Sequence, residues 1–401
     1  MSNLFSSLFH RNRNTCKIDF WLIYVLSTIF HFHGLFVVYN SSTYMEKFAT
    51  PEVIGAMYTI SSCLAVLAFL FISRVLKKIG NVRLTLWLAL FELVSLVVLG
   101  LVGHPATAIV AFVAFMILNP LIYLTIDIFS ETLIGSNEGS TGSKRGLTLT
   151  IMSLASAAGP LAMGFVVGNN DGNLSVTYII SAGILSIFIL IVLFRFYCFT
   201  DPSYKEIQVL SAISEFWQES DIRSVFLAHL NLQVFFAWTI IYIPLYMATK
   251  IGFSWEQIGT ILAVGLMAYV IFEWPIGYIA DKYIGEKEMM ALGFIILAIT
   301  SGCITIMTNS SILYWMILMF VSRIGASLVE ATTESYFFKH IDGSEANIMS
   351  FFRLARPLGM IIGSLLGSVS LLYFEFEFIF VILGLLMLPG IYFTSQLTDT
   401  K

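Results

Sequence analysis

Twelve long apolar stretches run through this chain, and basic residues mark every second connection between them. A hydrocarbon layer about 30 Å thick is crossed by a helix of roughly 20 apolar residues, because a helix satisfies its own backbone hydrogen bonds there. The expected spans are 18–39, 53–75, 84–103, 106–133, 147–167, 176–199, 225–247, 258–280, 289–307, 312–338, 348–373 and 376–393. Sixteen of the 21 Lys and Arg fall on one side: Arg11, Arg13, Lys17, Arg74, Lys77, Lys78, Arg83, Lys144, Arg145, Arg195, Lys205, Arg223, Lys282, Lys287, Lys339 and Lys401. Lys47 and Lys250 fall on the other, and Arg323, Arg353 and Arg356 lie inside spans. The positive-inside rule then puts both termini in the cytoplasm of a multi-pass protein of the plasma membrane. Moving the count by one helix would scramble the alternation.

Composition agrees. Hydrophobic residues make up 58% of the chain and charged residues 11%, whereas soluble domains carry about 25% charge. A net charge of -4 gives no reason to expect a nucleic-acid partner. The partners expected are the lipid bilayer, a small solute and protons. Cys16, Cys63, Cys198 and Cys303 are scattered, with no Cys/His cluster, so no metal is expected. Cys16 and Cys198 fall on the cytoplasmic side, where thiols stay reduced. No phosphate-binding loop and no HExxH pair appears, so neither a cofactor nor an enzyme is expected.

The expected organisation is a cytoplasmic segment 1–17, a six-helix bundle 18–199, a cytoplasmic linker 200–222, a second bundle 223–395 and a tail 396–401. Leu4, Phe5, Leu8 and Phe9, and in the linker Ile207, Leu210, Ile213 and Trp217, recur at helical spacing and suit helices lying on the inner membrane face. The linker series fits a plain solvated connection equally well. The halves echo each other. Asp127 and Glu131 end the fourth span as Glu330 and Glu334 end the tenth. Gly159-Pro160-Leu161 in the fifth corresponds to Arg356-Pro357-Leu358-Gly359 in the eleventh. Such echoes indicate duplicated halves.

Residues Gly277-Tyr278-Ile279-Ala280-Asp281-Lys282-Tyr283-Ile284-Gly285-Glu286-Lys287 join the eighth and ninth spans. They resemble the G-x-x-x-D-R/K-x-G-R/K-R/K signature of the major facilitator superfamily, with one extra residue before the second glycine. The first-half counterpart, Ser73 to Arg83, keeps Gly80 and the basic residues but has Lys77 in place of the acid. The resemblance implies an all-α fold of 12 transmembrane helices in two pseudo-symmetric six-helix bundles. It also implies secondary active transport by alternating access, with Asp281 as a latch at the cytoplasmic gate. Gly159-Pro160 with Gly164 is similar to the family's antiporter motif G-P-x-x-G-G, Met163 replacing one glycine; this points to an antiporter and export. An importer of the same fold (symporter or uniporter) and a non-transporting sensor or assembly protein are the alternatives.

Charges inside a span cost several kcal/mol unless paired or hydrated. At 1.5 Å per residue Glu330 and Glu334 stand about 27 and 33 Å along the tenth span, in its inner part. Arg353 and Arg356 share a face in the first turns of the eleventh. These four, with Asp281, are expected to form a cytoplasmic ionic gate, and Asp127 and Glu131 to do the same with Lys144 and Arg145. Static pairing is the plainer reading of both groups. Arg323 is about 16 Å along its span, near the midplane, and is the candidate for holding an anionic group of the solute; its plainer reading is an ion pair with Glu273 or Glu92. Gln233, Asn119, Tyr123, Tyr242 and His31 complete the expected polar lining. His31, His33 and Glu92 are the proton-coupling candidates, because imidazole titrates near pH 6.5; neutral, hydrogen-bonded histidines are the alternative.

This topology predicts that an impermeant amine reagent applied to intact cells modifies Lys47 and spares Lys205. Peptide mapping that finds Lys205 labelled and Lys47 protected would overturn it.

Overall fold

The computed structural model describes residues 18–134, 138–168, 173–204, 217–307, 311–339, 352 and 354–398; for 134, 138–150, 274, 281, 282 and 338 it describes the backbone alone. Within these residues twelve long helices follow in order: α1 Trp21–Val38, α2 Pro51–Ile79, α3 Asn81–Leu101, α4 Pro105–Ile134, α5 Glu138–Val167 and α6 Leu174–Arg195, then α7 Ser220–Tyr246, α8 Trp255–Ile279, α9 Glu286–Ile306, α10 Ile312–Lys339, α11 Ala355–Tyr373 and α12 Ile379–Ser395. Eleven are long and apolar enough to cross a membrane, and α5 contributes the shorter apolar stretch Ile151–Val167. The protein is an integral multi-pass membrane protein. Successive helices run in opposite senses, so Lys77, Lys78, Arg83, Arg195, Lys287 and Lys339 gather at one end, here termed the basic end.

Local chemistry sets the helix ends. Pro51 opens α2, where its missing N–H costs nothing. Ser254 and Gln257 form a capping box at the start of α8: Ser254 Oγ accepts the Gln257 N–H at 3.3 Å and Gln257 Oε1 accepts the Ser254 N–H at 2.9 Å. The α2–α3 and α8–α9 turns are built alike. Gly80 (φ 79°) and Gly285 (φ 97°) take a left-handed conformation that suits glycine, and α3 and α9 start at the next residue. The extra residue of the second turn is absorbed by a π-helical turn, Ala280–Ile284, which holds more residues per turn than an α-helix.

Hydropathy underestimates two helices. α5 begins at Glu138, well before the expected 147, and α7 begins at Ser220, inside the expected linker 200–222. Both extensions are polar, and hydropathy does not register helix outside the apolar layer. α1 is shorter than expected, Trp21–Val38. The amphipathic stretch at Leu4–Phe9 and linker positions Ile207, Leu210 and Ile213 lie outside the described residues, as does Cys16. Cys63 and Cys303 are free, whereas Cys198 is disulfide-bonded, contrary to the expected reduced thiol.

The halves meet along α5–α8 and α2–α11. The tight contacts sit toward the end opposite the basic one and depend on absent side chains. A Cβ on Gly259 would stand 2.3 Å from the Pro160 carbonyl oxygen and 2.9 Å from the Gly164 Cα, and one on Gly164 would stand 2.5 Å from the Trp255 carbonyl oxygen. That approach lets the Trp255 N–H reach the Gly168 carbonyl oxygen at 3.1 Å. Gly55 and Gly367 leave room for Tyr242, whose hydroxyl donates to the Ser364 carbonyl at 3.2 Å. Ser42 Oγ donates to the Ile241 carbonyl at 2.7 Å, and Thr59 and Ser364 hydroxyls meet at 2.8 Å. This end is closed.

Gly259→Ala is expected to destabilise the protein by about 1–3 kcal/mol through overpacking. Gly183→Ala, with nothing within 4 Å of its new methyl, is expected to leave stability unchanged or raised. Melting temperatures in one detergent compare the two, and equal values would refute the close-approach argument.

Candidate functional site

α1 presents two histidines to two environments, because residues two apart on a helix face different sides. His31 is half-buried and His33 fully buried. His31 Nε2 lies 2.7 Å from Ser156 Oγ on α5, and its Nδ1 lies 2.7 Å from the Tyr123 hydroxyl on α4. Ser156 spends its own hydrogen on the Met152 carbonyl at 2.9 Å. His31 therefore donates from Nε2 and, when neutral, accepts the Tyr123 hydroxyl at Nδ1. Behind it, His33 Nε2 stands 3.3 Å from Glu92 Oε1 on α3, and the Asn119 side-chain amide donates to the same oxygen at 2.8 Å. Glu92 is fully buried, and its Oε2 has no partner. Asn119, expected in the cavity lining, thus holds Glu92.

α4 continues the polar line toward the basic end. Tyr123 and Asp127, one turn apart, line a pocket with Ser27, Ile126, Ser130 and Met152. Glu131, one turn further, is exposed. The side chains of Lys144 and Arg145, their expected partners, lie outside the described residues.

In the second half Arg323 is 3% exposed on α10. Its guanidinium carbon sits 5.3 Å from the centre of the Phe235 ring on α7. Among the described residues it makes no ion pair, with Glu273, Glu92 or any other acid, and its Nη1 has no hydrogen-bond partner. The nearby Tyr269 hydroxyl is also unpartnered, and it lies in the field of Arg323, Glu330 and Glu273. Across the halves, Ser153 Oγ reaches Glu273 Oε2 at 3.5 Å. Gln233 is committed to its own half: its amide donates to His229 Nε2 at 3.2 Å, while His229 Nδ1 meets Thr333 Oγ1 at 3.0 Å. Tyr242 is fully buried in the closed end between α7 and α11.

Of the expected gate, Glu330 is half-buried and Glu334 and Arg356 are exposed; Arg353 and the Asp281 side chain lie outside the described residues. Arg356 exerts its charge on His31 and Tyr123 of the first half and on His229 and Glu330 of the second. It therefore stands between the halves on the side away from the closed end. Sequence reading left Ser156, Tyr269 and Phe235 unmarked, since serine and aromatic residues are ordinary in such helices and only packing brings these three to charged or titratable groups.

With this geometry in hand the comparisons are informative. Residues 224–396 match the sequence model of the Major Facilitator Superfamily. The chain is similar in shape to the crystal structure of the nucleoside transporter NupG, with a TM-score of 0.72 at 13% identity, over 94% of this chain and 99% of that one. An aspartate-to-alanine variant of NupG gives 0.73 at 13% identity, over 95% and 100%. The fold is that of the Major Facilitator Superfamily. No curated protein matches the sequence. The sequence match takes in α7–α12, which includes the acidic loop motif with its extra residue.

A buried, unpaired guanidinium works against folding. Arg323→Met is therefore expected to raise thermal stability, by about 1–3 kcal/mol, while removing any dependence on an anionic solute. A drop in melting temperature would show that Arg323 is structural.

Proposed function

We propose that the chain is a secondary active transporter in which the two halves rock about a central site for a small solute. The structure is closed at the end opposite the basic one. The reading takes the halves as 18–199 and 223–395 joined by the segment 200–222, with both termini in the cytoplasm and the basic end inside. The plasma membrane is the expected location, and the bilayer, the solute and protons are its partners. The observation that supports the solute site is Arg323: a midspan guanidinium, buried, with a free nitrogen and, among the described residues, no acid paired to it. Charges at that depth in transporters typically serve the pathway. Arg323 would hold an anionic group, with Tyr269 and Glu273 beside it and His31, Tyr123 and Ser156 opposite.

Proton exchange is the proposed driving reaction, and export the proposed direction. The support for export is the α5 motif, where Gly159 packs on Leu35 and Gly164 on α8, as a seal against leak would require. Proton uptake following added solute would favour import by symport instead. Complete absence of flux under any gradient would favour a sensor that no longer cycles. At the basic end Asp281, Glu330, Glu334, Arg353 and Arg356, with Asp127, Glu131 and Arg145, form the proposed gate.

A thermal-shift screen tests the site. It should contain small organic anions and, because NupG is a nucleoside transporter, nucleosides. Anionic solutes are expected to raise the melting temperature of the wild type and to lose that effect in Arg323→Ala. Equal stabilisation of both proteins would remove Arg323 from the site.

A further inference from the structure

Exchange of a proton for solute requires a group that holds one proton out of bulk water. The first half contains an arrangement whose hydrogen count can be read from geometry. His33 Nδ1 is hydrogen-bonded to the Phe30 carbonyl oxygen. A carbonyl oxygen only accepts, so Nδ1 carries hydrogen in every state of the ring. Nε2 is then the variable position, and it faces Glu92 Oε1 at 3.3 Å. Two states satisfy that contact: imidazolium with carboxylate, or neutral imidazole with carboxylic acid. Each keeps one proton between nitrogen and oxygen. A state without it sets a nitrogen lone pair against a carboxylate oxygen, with both side chains fully buried. Asn119 already donates to Oε1 at 2.8 Å, and Oε2 has no partner at all. Loss of the bridging proton would leave an uncompensated charge in hydrocarbon, a state that favours separation of the two side chains.

Pocket residues Tyr123 and Asp127 share a helix with Asn119. Asn119, Tyr123 and Asp127 follow at four-residue spacing on one face of α4. Tyr123 binds His31, and Tyr123 and Asp127 line the pocket. The titratable groups around the pair are His31 on α1, Tyr123 and Asp127 on α4, and Arg356 of α11, whose charge acts on His31 and Tyr123. α5 and α6 add the hydroxyls Ser156 and Ser181, and Tyr178 lies further toward the closed end.

We propose that the His33–Glu92 pair is the binding site of the coupling proton, with Asn119 as its positioning residue. The proton leaves the Nε2–Oε1 bridge to water and is replaced from water in the next cycle. No other bond changes. The proposal rests on the transport reading above, but its test needs no solute.

The test is pH-difference infrared spectroscopy of the full chain in lipid nanodiscs, between about pH 5 and about pH 9. The wild type is expected to show a carboxyl C=O band that varies with pH, shifts in D2O and is lost in Glu92→Gln. Asn119→Ala is expected to move its midpoint by about one pH unit or more. An environment-sensitive fluorophore on Ser130→Cys, in a background free of other cysteines, should report a pocket change with the same midpoint, absent in Glu92→Gln. A carboxyl region identical in wild type and Glu92→Gln overturns the proposal, as does a pocket signal indifferent to Glu92→Gln. Should Glu92→Gln fail to fold, an unmoved band in Asn119→Ala overturns it instead. A silent Glu92 alongside a solute response that needs Arg323 defeats the proton site alone; a titrating Glu92 with no solute response defeats the transport reading alone.

Discussion

Helices in a hydrocarbon layer gain nothing from burying apolar side chains against each other, since lipid tails are as apolar as leucine. Contact between the halves must come from close packing, and here that depends on glycine. Gly164 and Gly259 bring α5 and α8 to backbone contact, and Gly55 and Gly367 admit the Tyr242 ring between α2, α7 and α11. Once the backbones are that close, polar groups such as the Trp255 N–H and the Gly168 carbonyl meet across the joint. The contacts described at this joint are van der Waals packing and hydrogen bonds between neutral groups.

The halves repeat the same turn with different chemistry. Both place a positive-φ glycine before the third helix of the half. In the second half the following residue, Glu286, is buried and pairs with Lys339 and Ser335. In the first half the motif's acid is Lys77, yet the start of α3 still receives a carboxylate. Asp201, from beyond α6, accepts the Asn81 N–H at 2.7 Å and the Tyr204 hydroxyl at 2.5 Å. An acid at a helix N-terminus offsets the positive end of its dipole. The electrostatic requirement persisted while the residue meeting it moved to another segment, and a motif search along the α2–α3 loop therefore finds only a degraded copy.

That displacement shows what was legible in the sequence. The twelve helices, their alternation and the all-α class follow from hydropathy and from where Lys and Arg stand, because the bilayer imposes both directly. The polar starts of α5 and α7 carry no such imprint and lengthened unannounced. For the site, depth along a helix was readable and facing was not. Arg323 falls at midspan as its residue count requires. Asn119 and Gln233, read as lining, are held by Glu92 and His229, and Tyr242 lies in the closed joint. Those partners come from helices distant in sequence, and which faces meet is decided by packing, which no single-chain periodicity encodes.

The two buried charges of the site are handled in opposite ways, and the contrast bears on mechanism. Glu92 is compensated within its half by His33 and Asn119, whereas Arg323 is left with a ring face and a free nitrogen. Solute and proton would then bind different groups in different halves and would not compete for one. Under the proposed proton exchange, coupling would instead pass through an element that both sites touch. α1 is that element: it carries His33 at the Glu92 pair and His31 on the pocket side, and Tyr39 at its end lies in the field of Arg323. A shift of α1 away from α3 on loss of the bridging proton would move all three together. Leu35 of α1 packs on Gly159 of α5, and α5 meets α8 at Gly164, so such a shift would reach the closed joint through α5.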